Sequence, residues 1–349
     1  MKSIWRSKRF VIGFTYLVIL VSASFIYGWF FKDDTTIAPR LLYNDNHELL
    51  GKAPFSPTLM PPFGSDRFGE AISLQILEGA KFTILFAIAI SFLRIVFGTF
   101  LGVLLSLYTA RLKKFVRACS EIFYYIPTVF IAFILIAPVN IRMVSNADDL
   151  NPNISFAFYQ AIVLIFVALP TLTLYISSEV DEFMQRDYIL SSQLMGASRF
   201  HIIKKHLRVL LLNRLFILFM EQIVQTLILV IHLALFQIII GGVQQRDMGH
   251  GEIKYASLSN DWAGLIGLNY YEMNLSMWII FYTLVTFFIT ILFIKLMTKG
   301  IQDALATRNN QVLAIQQVQD QKTNETNETN KDSFSFVSPK DAKRSSANF

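Results

Sequence analysis

The sequence predicts an all-α membrane protein whose chain crosses the bilayer six times. Three observations lead to this fold class: 54% of the 349 residues are hydrophobic, only 16% are charged, and the apolar residues are gathered into long runs. An ordinary soluble domain has about 25% charged residues. A run of about 20 apolar residues is long enough to cross the hydrocarbon core as a helix. The six runs are 10–31, 82–110, 118–139, 156–178, 215–240 and 275–297.

Composition also excludes several kinds of function. The single cysteine, Cys119, rules out a disulfide framework, and five scattered histidines give no metal-ligand spacing. No phosphate-binding motif of the G-x-x-x-x-G-K-[ST] type occurs. We therefore expect no catalytic residues, no metal site and no cofactor in this chain. The net charge is +6, but its distribution along the chain indicates a membrane rather than a nucleic-acid partner.

The first apolar run follows four basic residues within positions 2–9, a pattern that secretory signal peptides share. A cleavage site would lie at the small residues 22–24. The apolar run, however, continues through Phe31, well beyond that site. We therefore interpret 1–31 as a cytoplasmic N-terminus and an uncleaved first transmembrane helix.

Lysine and arginine are distributed unequally between the two sides of the predicted bundle. If the N-terminus is inside, the inside segments carry 22 of these residues and the outside segments carry 8. Basic residues accumulate in cytoplasmic loops, so both termini of this cell-membrane protein are predicted to be cytoplasmic. Residues 32–81 then form an extracellular loop, and 82–308 form a five-helix core that includes a cytoplasmic loop, 179–214. The polar residues 309–349 are predicted to be a disordered cytoplasmic tail, because they cannot bury a core.

The 179–214 loop is too apolar to be a solvated linker, and its sequence predicts two short helices joined by a tight turn. Asp187 suits the N-cap position of the first helix, and Gly196 suits a left-handed residue at its end. Ser198 suits the N-cap position of the second helix, which would return the chain to the membrane.

Two interpretations of this loop remain open from spacing alone. In one, an apolar tip faces the cytosol or a partner protein; the residues of this tip are Tyr188, Leu194 and Met195. In the other, the second helix is amphipathic and lies on anionic lipid headgroups. The basic residues that would face the lipid are Lys204, Lys205 and Arg208.

The loop resembles the cytoplasmic "EAA" loop of ABC importer permeases of the dipeptide/oligopeptide/nickel type. Those loops contain an acidic residue, an aromatic residue, small residues and then Gly-Ala-Ser. The matching positions here are Asp187, Tyr188, Ser191, Ser192, Gly196, Ala197, Ser198, Ile202, Ile203 and His206. Two serines replace the usual Ala-Ala pair, and Arg208-Val209 stand where the family has Leu-Pro.

Three further segments resemble the same family in the same order, so that the resemblance spans about residues 5–308. The first segment comprises 63–69 and 79–81 before the second span, and Glu70-Ala71 stand there in place of the family's Arg-Asp. The second comprises Arg117, Glu121, Ile126 and Pro127 in the third span. The third comprises 300–305 after the sixth span.

The resemblance implies a permease subunit that forms half of a pore with a second homologous permease subunit. Two separate ABC ATPase subunits would drive transport, and an extracellular lipid-anchored binding protein would deliver the substrate, an oligopeptide or dipeptide. The moderate length of the first outside loop resembles the C-type member of the permease pair. The expected ATPase-coupling residues are Asp187, Tyr188, Ser191, Ser192, Leu194, Met195, Gly196, Ala197 and Ser198.

Polar residues within the predicted spans are candidates for lining the translocation path. They are Arg94, Glu221, Gln222, Gln225 and His232. Glu221, Gln225 and His232 lie on one helical face because they are spaced i, i+4 and i+11. A charge at the bilayer centre costs roughly 2.5–3.5 kcal/mol, so these side chains should face protein or water. The alternative is that they form hydrogen bonds between helices.

The same residues leave a function of another class open. Arg94, Glu221 and His232 would carry charge in an ion-coupled secondary transporter or channel, although the two halves of the chain show no internal repeat typical of such transporters. Gly98 and Gly102, in contrast, predict only a close contact between two helices.

Overall fold

The computed structural model describes residues 4–31, 40–108, 113–118, 125–145, 154–247 and 253–333, and most of them are helical. The longer helices are α1 (Lys8–Phe30), α2 (Ile72–Tyr108), α3 (Thr128–Ser145), α4 (Ile154–Met184), α7 (Arg208–Leu235) and α9 (Met277–Ser333). The shorter ones are α5 (Asp187–Leu194), α6 (Arg199–Ile202) and α8 (Trp262–Asn269).

Among the described residues, five helices are long and apolar enough to cross a membrane, namely α1, α2, α4, α7 and α9. The third predicted span corresponds to the shorter α3, whose apolar part is Thr128–Ile141. Residues 119–124, which include Glu121 and belong to the first turns of that predicted span, lie outside the described residues. Residues 109–112, at the predicted end of the second span, also lie outside them. The prediction of a polytopic, mainly helical membrane protein is confirmed.

Two helix boundaries differ from the predicted ones. α2 begins at Ile72 instead of residue 82, because the polar residues of its first turns interrupt the apolar run from which its start was predicted. α9 continues through Ser333, so 309–333 have a helical backbone where a disordered tail was predicted. A helix that is already nucleated extends into polar residues at low cost. Residues 334–349 of the predicted tail lie outside the described residues.

The predicted glycine contact joins α2 to α4. A Cβ atom added at Gly98 would lie 2.8 Å from the Cδ2 of Leu172. One added at Gly102 would lie 2.9 Å from the Cβ of Ile176 and 3.0 Å from the carbonyl oxygen of Thr173. The two helices therefore approach so closely that a side chain does not fit, and the prediction for Gly98 and Gly102 is confirmed.

The first and last spans pack against each other. The rings of Tyr16 and Phe293 stack with their centroids 4.1 Å apart, and the hydroxyl group of Tyr16 lies 3.1 Å from that of Thr290. At one end of this contact, Arg9 forms an ion pair with Asp303. The two ends of the described chain are thus held side by side.

The two ends of the bundle are built differently. One end, the ribbon end, carries two antiparallel β-ribbons and the short helix α8. The other end, the loop end, carries the 179–214 loop. The ribbons pair β1 (Leu41–Tyr43) with β2 (Leu49–Lys52), and β3 (Val243–Asp247) with β4 (Ile253–Ser257).

All eight residues of α8 are buried at the ribbon end. Asp261 caps this helix, because its carboxylate accepts a hydrogen bond of 2.8 Å from the backbone N–H of Gly264. The indole N–H of Trp262 donates to the carbonyl oxygen of Ile76 at 2.7 Å, and its backbone N–H donates to Thr83 at 3.0 Å. α8 is therefore fixed to the first turns of α2.

Candidate functional site

The 179–214 loop folds as two helical segments with a tight turn between them. α5 ends before Gly196, whose φ of +87° lies in the left-handed region that favours glycine. The hydroxyl oxygen of Ser198 accepts a hydrogen bond of 3.3 Å from the backbone N–H of His201 in α6. The predictions for Gly196 as the turn residue and Ser198 as the cap are confirmed.

Two details of the loop differ from the sequence-based prediction. The N-cap position of α5 is Arg186, and Asp187 is the first helical residue. An acid in the first turn still interacts favourably with the helix dipole. The predicted second helix is also not separate from the fifth span, because a π-helical turn, Ile203–Leu207, connects α6 directly to α7.

The loop is anchored to the bundle by its apolar side. Ile189 of α5, Ile202 of α6 and Leu207 of the π turn are 0%, 1% and 2% exposed. They share a hydrophobic cluster with Ile176 and Val180 of α4. The apolar side of the loop is therefore packed directly against α4.

The opposite side of the loop is open. Leu194 and Met195 are 90% and 83% exposed, which is unusual for apolar side chains outside the bilayer. No atom lies within 4 Å of a Cβ added at Gly196. The nine residues predicted to couple to an ATPase are all exposed or partly exposed, and the structure brings them together around this turn. The side chain of Lys204, one of the three basic residues in the headgroup interpretation, lies outside the described residues.

Arg94 is buried in the middle of the bundle, where it joins three helices. Its guanidinium group donates to the carbonyl oxygen of Leu164 in α4 through Nε at 3.0 Å and Nη2 at 2.6 Å. Its Nη1 donates to Thr226 at 2.9 Å and to Gln222 at 3.4 Å, both in α7. Arg94 forms no ion pair with any residue in the described part of the chain. This geometry matches the alternative of hydrogen bonding between helices.

Three of the predicted path residues lie on an exposed face of α7. Glu221, Gln225 and His232 are exposed along one side of the helix, as their spacing predicts, and Ile228 lies between them. Gln222 is buried, and its amide group donates to Gln225 at 2.8 Å. The five predicted path residues therefore form a buried pair, Arg94 and Gln222, and an exposed row of three beside it.

A second polar cluster, which the sequence analysis did not identify as a site, lies at the ribbon end. The buried carboxylate of Asp66 accepts hydrogen bonds of 2.9 Å from the backbone N–H groups of Phe68 and Glu70. The amide nitrogen of Gln75 in α2 donates to Asp66 at 2.8 Å and to Glu70 at 2.9 Å. Burial, with the neighbouring charge of Glu70, raises the pKa of Asp66 to about 6.

This cluster also holds the β3–β4 ribbon. Glu70 forms an ion pair with Arg246 of β3, and Arg67 contacts both the carbonyl oxygen of Tyr255 and Glu272. The guanidinium groups of Arg67 and Arg246 lie 5.2 and 5.1 Å from the centroid of the Phe68 ring. The available sequence signal was the motif 63–69, but only the fold shows that residues far apart in the chain meet there.

A comparison with known protein families gives a match. The model of a family described as "binding-protein-dependent transport system inner membrane component" matches residues 94–310. The matched range includes Arg94, the 179–214 loop and the exposed face of α7. No curated protein matches the chain.

Proposed function

Because the chain belongs to the family of binding-protein-dependent transport system inner membrane components, and is thus a permease component of an ABC importer, we propose that it carries oligopeptides or dipeptides. It forms half of the pore, together with a second homologous permease subunit, and corresponds to the C-type member of the pair. Two separate ATPase subunits hydrolyse the ATP, and a lipid-anchored binding protein delivers the substrate from outside. Both termini are cytoplasmic, an orientation that the bias of basic residues supports.

The observation that carries this proposal is the open tip of the 179–214 loop. An apolar tip with Leu194 and Met195 exposed is costly in water but suits a buried contact with another protein. The turn at Gly196 sets the angle between the two helical segments that present this tip. We propose that an ATPase subunit covers it in the assembled transporter.

The anchoring of the loop supports a mechanism for energy coupling. When the ATPase subunits close on nucleotide, they displace the tip. The buried side of the loop transmits this displacement to α4 through Ile189 and Ile202, and the continuous backbone from α6 through the π turn transmits it to α7. The spans then move relative to those of the second permease, and access to the pore changes from outside to inside.

The exposed face of α7 is the proposed wall of the translocation path. Glu221, Gln225 and His232 offer a carboxylate, an amide and an imidazole, groups that form hydrogen bonds with peptide backbones. Arg94 and Gln222 hold this wall from behind, since they bind α7 to α2 and α4. The ion-coupled alternative requires Arg94 to act together with Glu221 and His232, but Arg94 is buried and they are exposed.

The test is to purify the assembled transporter with a changed tip. Met195→Asp puts an unpaired charge into the proposed contact, and Gly196→Val strains the left-handed turn. We expect both variants to reach the membrane in normal amounts but to retain less than about a tenth of the ATPase subunits, a loss of roughly 1.4 kcal/mol or more in binding. Uptake of a radiolabelled tripeptide by cells should be abolished.

Two control variants sharpen this test. Leu49→Asp changes an exposed apolar residue at the ribbon end and should retain the ATPase subunits. Lys205→Gln should also retain them, because the proposed contact is apolar. If Met195→Asp and Gly196→Val kept the subunits with normal uptake while Lys205→Gln lowered uptake with the subunits retained, the headgroup interpretation would replace ours. Uptake of nickel ions in place of peptide would contradict the proposed substrate.

A further inference from the structure

A cavity of about 500 Å³ opens at the loop end between α4, α7 and α9. Its volume is within the range of cavities that bind small ligands. Glu179 on its wall directly follows the apolar run 156–178, and Arg214 directly precedes the apolar run 215–240. The cavity therefore lies where three spans leave the hydrocarbon core, at the level of the lipid headgroups.

The wall of this cavity is divided between apolar and polar groups. Leu211, Ile217 and Leu305 contribute apolar surface, and acidic, basic and amide side chains contribute the rest. A ligand that fits such a wall has both an apolar part and a polar part. At this depth in the membrane, phospholipids are the abundant molecules of that kind.

Of the four charged side chains on the wall, two form an ion pair with each other and two do not. Glu179 forms an ion pair of 3.2 Å with Arg214 and accepts a hydrogen bond of 3.0 Å from the hydroxyl group of Tyr175. The carboxylate of Glu182 has no hydrogen-bond or ion-pair partner among the described residues. The guanidinium group of Arg186 lies 5.6 Å from the centroid of the Phe183 ring. Glu182 and Arg186 are both exposed, so this acid and base, four residues apart in the chain, are accessible to a ligand at the rim of the cavity.

We propose that this cavity binds a zwitterionic phospholipid of the phosphatidylethanolamine class by its headgroup. Arg186 binds the phosphate, because a guanidinium group matches phosphate geometry with two parallel hydrogen bonds. Glu182 binds the ammonium group, and the side-chain amide oxygens of Asn213 and Gln302 on the same wall are further acceptors for its N–H groups. The acyl chains lie against the apolar surface of α4 and α9, and not against the face of α7 that carries Glu221, Gln225 and His232 and is the proposed wall of the path. The leaflet concerned is the cytoplasmic one if the proposed orientation holds.

The charge pattern selects against the other common headgroups. An anionic phosphatidylglycerol would satisfy Arg186 but leave the carboxylate of Glu182 without a cation. Phosphatidylcholine has the same net charge as the proposed ligand, but its quaternary ammonium group has no N–H to donate. The primary ammonium group is the one that satisfies both the charge and the hydrogen-bond acceptors of this wall.

The experiment measures lipid binding to the purified full-length chain by native mass spectrometry in detergent. The probes are dioleoyl phosphatidylethanolamine, phosphatidylcholine and phosphatidylglycerol, added one at a time. We expect the wild-type chain to bind the ethanolamine lipid about tenfold more tightly than either of the others. Glu182→Gln should reduce this preference to less than about twofold, and Arg186→Gln should weaken the binding of all three lipids.

Further variants separate the proposal from loss of folding and from a soluble ligand. Glu182→Lys should reverse the preference in favour of phosphatidylglycerol, a gain that a misfolded chain would not show. Glu48→Gln and Arg6→Gln, which are exposed outside the cavity, should bind like wild type. Equal binding of the three lipids by wild type would overturn the proposal. Displacement of the lipid by soluble phosphoethanolamine at similar concentrations would assign the site to a cytosolic solute and overturn it as well. Neither outcome depends on transport, so the proposed function is tested separately.

Discussion

The ribbon end and the loop end of this bundle use polar groups in opposite ways. At the ribbon end, Asp66 and Asp261 are buried, and each accepts several hydrogen bonds within the chain. At the loop end, Leu194 and Met195 are exposed, and a cavity of about 500 Å³ remains between the helices. The two buried carboxylates of the first end are thus satisfied within the chain, whereas the tip and the cavity of the second present surface that other molecules can cover.

This difference indicates where stability and function are located. Substitutions at the ribbon end should change the free energy of unfolding, because they remove contacts inside the chain. Substitutions at the loop tip should leave that free energy nearly unchanged and act on partner binding instead. We therefore infer that the ribbon end is a fixed base against which the loop end moves.

The largest expected effect is that of Trp262→Ala at the ribbon end. The side chain is fully buried, donates to Ile76 at 2.7 Å and packs edge-on against Phe287. Its removal should cost about 3–5 kcal/mol, as is typical for large-to-small changes of buried aromatic residues. Thermal unfolding in detergent, monitored by size-exclusion chromatography, measures this decrease in stability. Met195→Ala at the loop end should stay within about 0.5 kcal/mol of wild type, and an equal loss in both variants would contradict the contrast between the ends.

The next effect concerns the pH dependence of stability. The pKa of Asp66 is about 6 in the folded chain, above its ordinary value of 3.8. The folded state therefore holds more protons than the unfolded state between about pH 4 and 6. The contribution of Asp66 to the free energy of unfolding should therefore increase as the pH falls through that window and should be lost as the pH rises through 6. The change should be about 3 kcal/mol at most.

Asp66→Asn isolates this contribution. The amide oxygen still accepts from the N–H groups of Phe68 and Glu70, but the side chain no longer titrates. The difference in unfolding temperature between wild type and variant should therefore change between pH 4 and 7. Asp45→Asn, in the exposed turn between β1 and β2, is the control for removing one carboxylate without disturbing the cluster. A constant difference for Asp66→Asn over this range would show that Asp66 titrates as an ordinary carboxyl group.

The same contrast explains which parts of the fold and of the site can be predicted from the sequence. Apolar runs and the glycine spacing predict the spans and the contact at Gly98, because these features depend on neighbouring residues in the chain. The turn at Gly196 and the cap at Ser198 are likewise local. The ribbon-end cluster is not, since Glu70 and Arg246 meet only when α2 and α7 are packed. The polar residues that give α2 its early start are recognisable as buried only once their partners are known.

The smallest expected effect compares two glycines with nearly the same backbone conformation. Gly64 at the ribbon end has a φ of +80°, and Gly196 at the loop end has a φ of +87°. Replacement by alanine should cost both about 1 kcal/mol, because a Cβ atom disfavours the left-handed region. The surroundings differ: a Cβ at Gly64 would lie 2.5 Å from the carbonyl oxygen of Phe55, whereas at Gly196 it meets nothing within 4 Å.

The difference in stability between the two variants therefore reflects only how tightly the two glycines are packed. A Cβ at 2.5 Å from a backbone oxygen forces a shift of the chain, and such overpacking costs typically 1–3 kcal/mol. Gly64→Ala should then be about 1–3 kcal/mol less stable than Gly196→Ala when both are unfolded by heat under the same conditions. Because the backbone term cancels, equal losses would mean that the ribbon end yields as easily as the loop end. In that case the fixed base that we infer for the movement of the loop would not exist.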